Sequence, residues 1–194
     1  MPRAKFLSAS TFPRLMCNDR SGSGMGKTAL SVCYRLAAEL LGASDGEEIT
    51  AASLEWGIEN EDNAAWAYEK QTLSRTRPAL WKVSPDLQYV GGTMDRLVGE
   101  NGGLEIKCPA NMANHIKHQE LMKEYHYQVH GYLWIYELDW IDFVNYDPRF
   151  VPPRDLFVTR IERDEGVIST LKVRCEMAYE KALQIAEKIR KEFG

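Results

Sequence analysis

The alternation of apolar and charged residues in one short stretch constrains the fold of this chain most strongly. Leu104, Ile106 and Cys108 alternate there with Glu105 and Lys107. Because successive side chains of a β-strand point to opposite faces of the sheet, the apolar residues share one face and the charged residues share the other. A carboxylate and an ammonium group on an otherwise apolar hairpin are poor choices for a buried sheet unless something compensates their charge, and a divalent metal ion would do so.

A second acidic residue precedes this strand. The residues between Gly91 and Pro109 predict two short strands joined by a glycine-containing turn, and Asp95 lies in the first half of this hairpin. Asp95 and Glu105 offer hard oxygen ligands for a divalent cation, and the carbonyl oxygen of Ile106 could add a third. Lys107 would then lie beside the metal, where it could orient or deprotonate a water molecule and offset phosphate charge. The alternative for this motif alone is a solvent-facing hairpin with a cross-strand ion pair.

Other segments of the chain favour the metal site. The spacing Asp-x9-Glu-x-Lys is the signature of PD-(D/E)XK nucleases, with Met94 where proline is often found. Trp-Gly-x-x-x-Glu begins at Trp56, Gln-x-x-x-Tyr begins at Gln128, and Asn-Tyr-Asp-Pro-Arg ends at Arg149. With these segments in this order, the chain resembles the lambda-exonuclease (YqaJ-like viral recombinase) family from about Arg3 to its C-terminal helix.

This resemblance implies an activity. Members of the family are Mg²⁺-dependent exonucleases that degrade the 5′-ended strand of linear double-stranded DNA and leave a 3′ single strand for recombination by single-strand annealing. The resemblance implies two Mg²⁺ ions, for which Mn²⁺ substitutes, and no requirement for ATP. It also implies a ring-shaped homotrimer, a single-strand annealing partner protein, and a phage or prophage source.

The same resemblance assigns residues by position. The expected catalytic residues are Asp95, Glu105, Lys107, Glu61, Gln128 and Tyr132. The expected metal ligands are Asp95 and Glu105, with Glu61 as a supporting acid on a helix and the Ile106 carbonyl as above. The expected DNA contacts are Arg3, Ser10 and Thr93 from the resemblance, together with Arg14, Arg20 and Lys27 as cations that could hold DNA phosphates.

The glycine-rich stretch from Ser21 to Thr28 ends in Gly-Lys-Thr and suggests a nucleotide-binding loop. Ser21 stands where the first glycine of G-x-x-x-x-G-K-[ST] belongs, and the residues before it do not form the pattern of a buried strand. We therefore expect a glycine-rich connection between two helices that faces DNA. A nucleotide-binding protein remains an alternative.

Length and pattern predict a single α/β domain with a small central mixed β-sheet flanked by helices. The resemblance implies that this domain, over residues 1–194, is a nuclease with a PD-(D/E)XK restriction-endonuclease-like core. The predicted elements are a helix start at Ser8–Thr11, a helix after the glycine-rich stretch that stops at Gly42, helices over 54–73 and 120–138, strands over 141–146 and 156–161, and a long C-terminal helix.

Composition leaves the partner open but limits the compartment. The net charge of −4 gives no overall attraction to nucleic acid, so DNA binding would depend on local clusters of Lys and Arg. Four scattered cysteines and the absence of a long apolar run favour a reduced, cytoplasmic protein with no membrane span. Two further functions stay open: an endonuclease or repair nuclease on the same scaffold, and a non-catalytic DNA-end-binding module.

Overall fold

The computed structural model describes residues 5–22, 24–43 and 51–193, and these form two β-sheets surrounded by helices. The strands are β1 Leu7–Ser8, β2 Thr76–Pro78, β3 Lys82–Val83, β4 Val90–Gly92, β5 Arg96–Val98, β6 Gly102–Lys107, β7 Trp140–Tyr146 and β8 Leu156–Glu162. The helices are α1 Phe12–Leu15, α2 Lys27–Leu40, α3 Ala51–Thr72, α4 Met112–Ile116, α5 His118–Glu124, α6 His126–Tyr136 and α7 Glu165–Phe193.

The larger sheet is the mixed sheet that the sequence predicts. Its five strands lie in the order β2-β5-β6-β7-β8, with β6 parallel to β7 and the other neighbours antiparallel. The hairpin of β5 and β6 pairs Arg96 with Leu104, and β6 pairs Glu105 with Phe143 of β7. Strand β6 is therefore the middle strand of the sheet, and its charged residues are held among neighbours on both sides.

The two faces of this sheet are covered by different helices. On one face, α3 packs Ala64, Ala65 and Tyr68 against Leu104 and Ile106. On the other face, α6 and α7 with the short α1 and with α2 enclose the larger apolar cluster, which includes Phe12, Leu133, Trp134, Ile141, Phe143 and Ile168. The predicted alternation along β6 is confirmed, because its apolar residues face α3 and Glu105 faces α6.

Two short helices, α5 and α6, replace the single helix expected over 120–138, and the short α4 precedes them. Helices α4, α5 and α6 are interrupted at Lys117 and Tyr125, whose ψ angles are 31° and 1°. Neither position is proline or glycine, so no local signal predicts the breaks. The ring of Tyr125 lies 5.9 Å from the ring of Phe143 on β7, and such tertiary packing is not visible in a pattern of apolar residues.

A three-stranded sheet of order β1-β4-β3 was not expected from the sequence. Its strands are two or three residues long, too short to show an alternation of apolar and polar residues. In this sheet Ser8 pairs with Gly91. The expected helix start near Ser8 is a 3-10 turn over Ala9–Thr11 followed by α1.

The glycine-rich stretch lies between α1 and α2, as predicted. The Oδ1 atom of Asp19 accepts hydrogen bonds from the backbone amides of Ser21 and Gly24 at 3.0 and 3.2 Å, and from the Ser21 hydroxyl at 2.6 Å. These bonds, with the Ser21 hydroxyl bond the largest, lower the pKa of Asp19. Amides that would face a phosphate in a nucleotide-binding loop thus donate to a carboxylate of the same loop.

None of the helices that the structure describes is both long and apolar enough to cross a membrane.

Gly131 on α6 lies where the helix meets α1, and replacing it tests this packing. A Cβ atom at Gly131 would lie 2.6 Å from the Phe12 ring, whereas one at Gly57 on α3 would meet nothing within 4 Å. We expect Gly131→Ala to lower the free energy of unfolding by about 1–3 kcal/mol through overpacking. Gly57→Ala is the matched control and should be neutral or stabilise by up to about 1 kcal/mol, because alanine favours helix. Denaturant unfolding measures both, and equal stability of the two variants would contradict the packing described.

Candidate active site

The C-terminal half of β6 and the residue before β5 bring two carboxylates together. Asp95 precedes β5, and its Oδ2 atom accepts a hydrogen bond from the backbone amide of Ile106 at 2.7 Å. Asp95 and Glu105 are near enough for their side chains to hydrogen-bond when one carries a proton. The hairpin register thus places the first acid of the motif beside the second.

Glu105 is held from two directions. Its Oε1 atom accepts hydrogen bonds from Lys107 Nζ at 2.6 Å and from Gln128 Nε2 at 2.8 Å. Gln128 also donates to the hydroxyl of Tyr132 at 3.3 Å, one turn further along α6. The other oxygen of Glu105, Oε2, is buried and receives no hydrogen bond from the residues that the structure describes.

Burial and mutual repulsion disfavour ionisation of the acids. Glu105 is only 1% exposed, and desolvation followed by repulsion from Asp95 raises its pKa to about 8. Burial also raises the pKa of Asp95 above its ordinary value. Two neighbouring carboxyl groups whose ionisation is this costly favour a positive charge beside them.

Lys107 supplies one positive charge to this site. Desolvation lowers the pKa of its ammonium group, but attraction to Glu105 and Asp95 is stronger in sum, so the pKa lies above the ordinary value. Its Nζ atom lies 4.4 Å from the centroid of the Tyr125 ring. In this arrangement Lys107 is a cation and hydrogen-bond donor, which suits orienting a water molecule and offsetting phosphate charge.

Glu61 approaches the same acids from α3. Burial raises its pKa, and repulsion from Asp95 adds to this increase, which places the two carboxylates within electrostatic reach. The next residue, Asp62, forms an ion pair with Arg96, the neighbour of Asp95. The candidate site is therefore approached by Glu61 from α3 and by Gln128 from α6.

The donor set fits a divalent cation. Carboxylate oxygens are the ligands that Mg²⁺ and Mn²⁺ prefer, and the unpartnered Oε2 of Glu105 beside Asp95 is a place for one. Within the described residues, no group of three or more His, Cys, Asp or Glu side chains is already arranged around a metal position. Asp95 and Glu105 are adjacent, as the predicted ligand set requires. All four predicted ligands, Asp95, Glu105, Glu61 and the Ile106 carbonyl, remain predictions.

The predicted DNA contacts fall into two groups. Ser10 and Arg14 line a cavity of about 330 Å³ with Arg35, between the 3-10 turn, α1 and α2. Arg20 and Lys27 are exposed on the glycine-rich stretch and at the start of α2. No residue of the hairpin formed by β5 and β6 lines the cavity of Ser10 and Arg14.

Thr93 lies between β4 and Asp95, two residues before that acid. Its hydroxyl oxygen is buried without a hydrogen-bond partner in the described part of the chain. The preceding Gly92 approaches Ala9 and the ring of Tyr132, so the 3-10 turn that carries Ser10 is next to this strand. Arg3 lies outside the described residues.

Two side chains at the site were not singled out from the sequence. Tyr125 packs its ring on Lys107, and Arg96 pairs with Asp62. Tyr125 precedes Gln128 by three residues, so helical spacing from Gln128 would have indicated it. For Arg96, only its position next to Asp95 in the sequence could have indicated that it lies at the site.

Comparisons with known proteins agree with this geometry. A family model described as the YqaJ-like viral recombinase domain matches residues 2–139, more than half of the chain. The chain belongs to the YqaJ-like viral recombinase domain family. No curated protein matches its sequence.

Solved structures of similar fold are exonucleases. The alkaline exonuclease LHK-Exo from Laribacter hongkongensis is 25% identical with a TM-score of 0.85, over 98% of this chain and 94% of that one. The same enzyme in complex with dAMP is 26% identical with a TM-score of 0.86 over the same shares. A phage related exonuclease from Haemophilus somnus 129PT shares the fold, at 19% identity and a TM-score of 0.78 over 95% of this chain and 96% of that one. These likenesses confirm the predicted fold class.

At the edge of the site, Arg149 holds a buried acid. Asp147 is fully buried and accepts hydrogen bonds from Arg149 Nε and Nη2, both at 2.7 Å. Burial alone would raise the pKa of Asp147, but these hydrogen bonds outweigh it and hold the pKa below the ordinary 3.8. The ionised form of Asp147 therefore stabilises the fold, and protonation removes this contribution.

The substitution Asp147→Asn tests how the stability that the ionised Asp147 contributes depends on pH. The pKa of Asp147 is lower in the folded protein than in the unfolded chain. The ionised Asp147 therefore adds its full contribution to the free energy of unfolding above the unfolded pKa, and this contribution is lost as the pH falls through the folded pKa. We expect the variant to be less stable than wild type by about 1–3 kcal/mol near neutral pH, since it leaves Arg149 without its carboxylate. Denaturant unfolding at about pH 7 and about pH 3 should show the difference shrinking with acid. An undiminished difference in acid would contradict this role.

Proposed function

We propose that this protein is a metal-dependent exodeoxyribonuclease that degrades the 5′-ended strand of linear double-stranded DNA and leaves a 3′ single strand for recombination by annealing. The observation that carries this proposal is the buried Glu105 beside Asp95, with Lys107 on the strand of Glu105, in a chain of the viral recombinase family. LHK-Exo, at 26% identity, has been crystallised with dAMP. A nucleoside monophosphate is the product expected when a strand is removed one nucleotide at a time.

Each side chain of the site has a task in hydrolysis of a phosphodiester. Asp95 and Glu105, with Glu61, would hold two Mg²⁺ ions, or Mn²⁺ in their place. Bound there, the ions would neutralise charge on the phosphate and stabilise the leaving oxygen. Gln128 orients the Glu105 carboxylate through its 2.8 Å hydrogen bond, and Tyr132 supports Gln128. Lys107 directs its ammonium group at the attacking water and the phosphate.

DNA would be held mainly through its phosphates. Ser10, Arg14, Arg20 and Lys27 are exposed, and Thr93 flanks the catalytic acid. Contacts of this kind carry little sequence information, which suits an enzyme that removes every nucleotide it meets. Arg3 would add to the phosphate contacts.

The family also supports an assembly. We propose one nuclease domain over residues 1–194 that forms a homotrimeric ring around DNA, acts in the cytoplasm of a host of a phage or prophage, and works without ATP. A single-strand annealing protein would take the 3′ strand that the nuclease leaves.

One assay separates the candidate activities. Linear duplex DNA labelled at either the 5′ or the 3′ end of one strand, and supercoiled circles, are incubated with the protein and Mg²⁺ or Mn²⁺. We expect mononucleotide release from the 5′ end of linear DNA and intact circles. Nicked circles would point to an endonuclease, release from the 3′ end would reverse the polarity, and tight end binding without hydrolysis would point to a DNA-end-binding module.

Substitutions in the β5–β6 hairpin test which of its residues the nuclease activity requires. Glu105→Gln and Lys107→Met should each reduce turnover on linear DNA by on the order of 10²-fold or more, because each removes a charge that the transition state needs. Glu100→Gln makes the same chemical change as the first variant on the exposed turn of the same hairpin and should keep wild-type activity. Circular dichroism checks that each variant is folded. Full activity in either site variant would contradict the assigned residues.

A further inference from the structure

A single arginine joins three segments that border the site. Arg149 follows β7, and its Nη1 and Nη2 atoms donate to the carbonyl oxygens of Ala110 and Pro109 at 3.0 and 3.2 Å. Those carbonyls lie just beyond Lys107, the last residue of β6. The centre of the guanidinium group also lies 4.7 Å from the Trp56 ring of α3.

Almost all N–H groups of the Arg149 guanidinium donate hydrogen bonds. In its plane it donates to both carboxylate oxygens of the buried Asp147 and to the two carbonyls, while its face lies on Trp56. A lysine at this position would keep the charge but could not form the paired hydrogen bonds and the stacked contact together. The arrangement therefore depends on the shape of arginine as well as on its charge.

Trp56 and Asp62 hold α3 on either side of Glu61. The apolar contacts of α3 with the sheet, through Ala64 and Tyr68, begin after Glu61 in the chain. Before it, Trp56 contacts Arg149, five residues or about 7.5 Å along the helix axis. After it, Asp62 pairs with Arg96. Glu61 thus lies between two contacts of α3, and the one on its N-terminal side is made with Arg149.

We propose that Arg149 is a positioning residue that sets the affinity of the site for divalent cations. By joining the end of β6 to α3, it fixes where Glu61 stands relative to Asp95 and Glu105. Within the described residues, Arg149 itself forms no hydrogen bond or ion pair with Asp95, Glu105 or Glu61. This inference rests on the proposed metal-dependent activity of the same site.

The chain supplies a matched control for Arg149. Arg160 on β8 also donates to both oxygens of a buried aspartate, Asp142, each at 2.9 Å, and it lies 3.6 Å from the Trp140 ring. It makes no contact with the end of β6 or with the N-terminal half of α3 in the described residues. Arg149→Lys and Arg160→Lys therefore damage the same kind of contact at two different places.

The test measures binding of Mn²⁺ to the free protein by calorimetry, and the Mg²⁺ concentration that half-saturates cleavage of linear DNA. We expect Arg149→Lys to weaken Mn²⁺ binding by about tenfold or more and to raise the half-saturating Mg²⁺ concentration similarly. Cleavage at saturating Mg²⁺ should recover, because the acids and Lys107 are intact. Arg160→Lys should lower the melting temperature without changing either value for the metal. Mn²⁺ affinity of Arg149→Lys within about twofold of Arg160→Lys would overturn the proposal.

Variants of Trp56 test the same contact from the other side and serve if Arg149→Lys does not fold. Trp56→Leu removes the ring under the guanidinium group and should weaken Mn²⁺ binding, whereas Trp56→Phe keeps an aromatic face and should restore most of it. Equal Mn²⁺ affinity of the two Trp56 variants would overturn the positioning role. If the wild-type protein binds Mn²⁺ but cleaves no DNA, the proposed function is wrong. The Mn²⁺ affinities of the variants still decide whether Arg149 positions the site.

Discussion

The carboxyl group of Glu105 is buried in the middle strand of the main sheet, next to a second carboxylate, and most of the site is arranged around it. Lys107 and Gln128 both donate to one of its oxygens, while the other oxygen receives no hydrogen bond in the described structure. Such a group is costly to bury, since desolvation and the charge of Asp95 both oppose its ionisation. The protein thus keeps two carboxyl groups whose ionisation is unfavourable where a cation and a phosphate are expected to meet.

The fold holds this costly site by packing on both faces of one sheet. Leu104 and Ile106 anchor β6 against α3, and Gln128 reaches Glu105 from α6 on the other face. Because β6 is paired on both edges, by β5 and β7, its backbone cannot shift to relieve the repulsion. Stability from the apolar clusters therefore maintains a local arrangement that is unfavourable by itself, as is common at functional sites.

Sequence patterns predicted the structure correctly where it depends on residues that are close together in the chain. The alternation along β6 predicted the face on which Glu105 and Lys107 lie, and the spacing of Gln128 and Tyr132 predicted that both share one helix face, which their 3.3 Å hydrogen bond agrees with. The bounds of β7, β8 and α3 were predicted to within a few residues. The break at Tyr125 was not, because it accompanies packing against Phe143, a residue distant in the chain.

The sequence by itself determined the candidate site of this protein, two acids and a lysine at a spacing that a β-hairpin brings to one place, and its membership of the viral recombinase family. Residue identity and short-range periodicity are enough for that, since a strand alternates its faces wherever it lies. Only the tertiary structure decided how the site is held. Arg149 meets Trp56, Asp147 and the end of β6 through contacts between residues tens of positions apart. Such contacts depend on how the helices pack on the sheet, which no local pattern specifies.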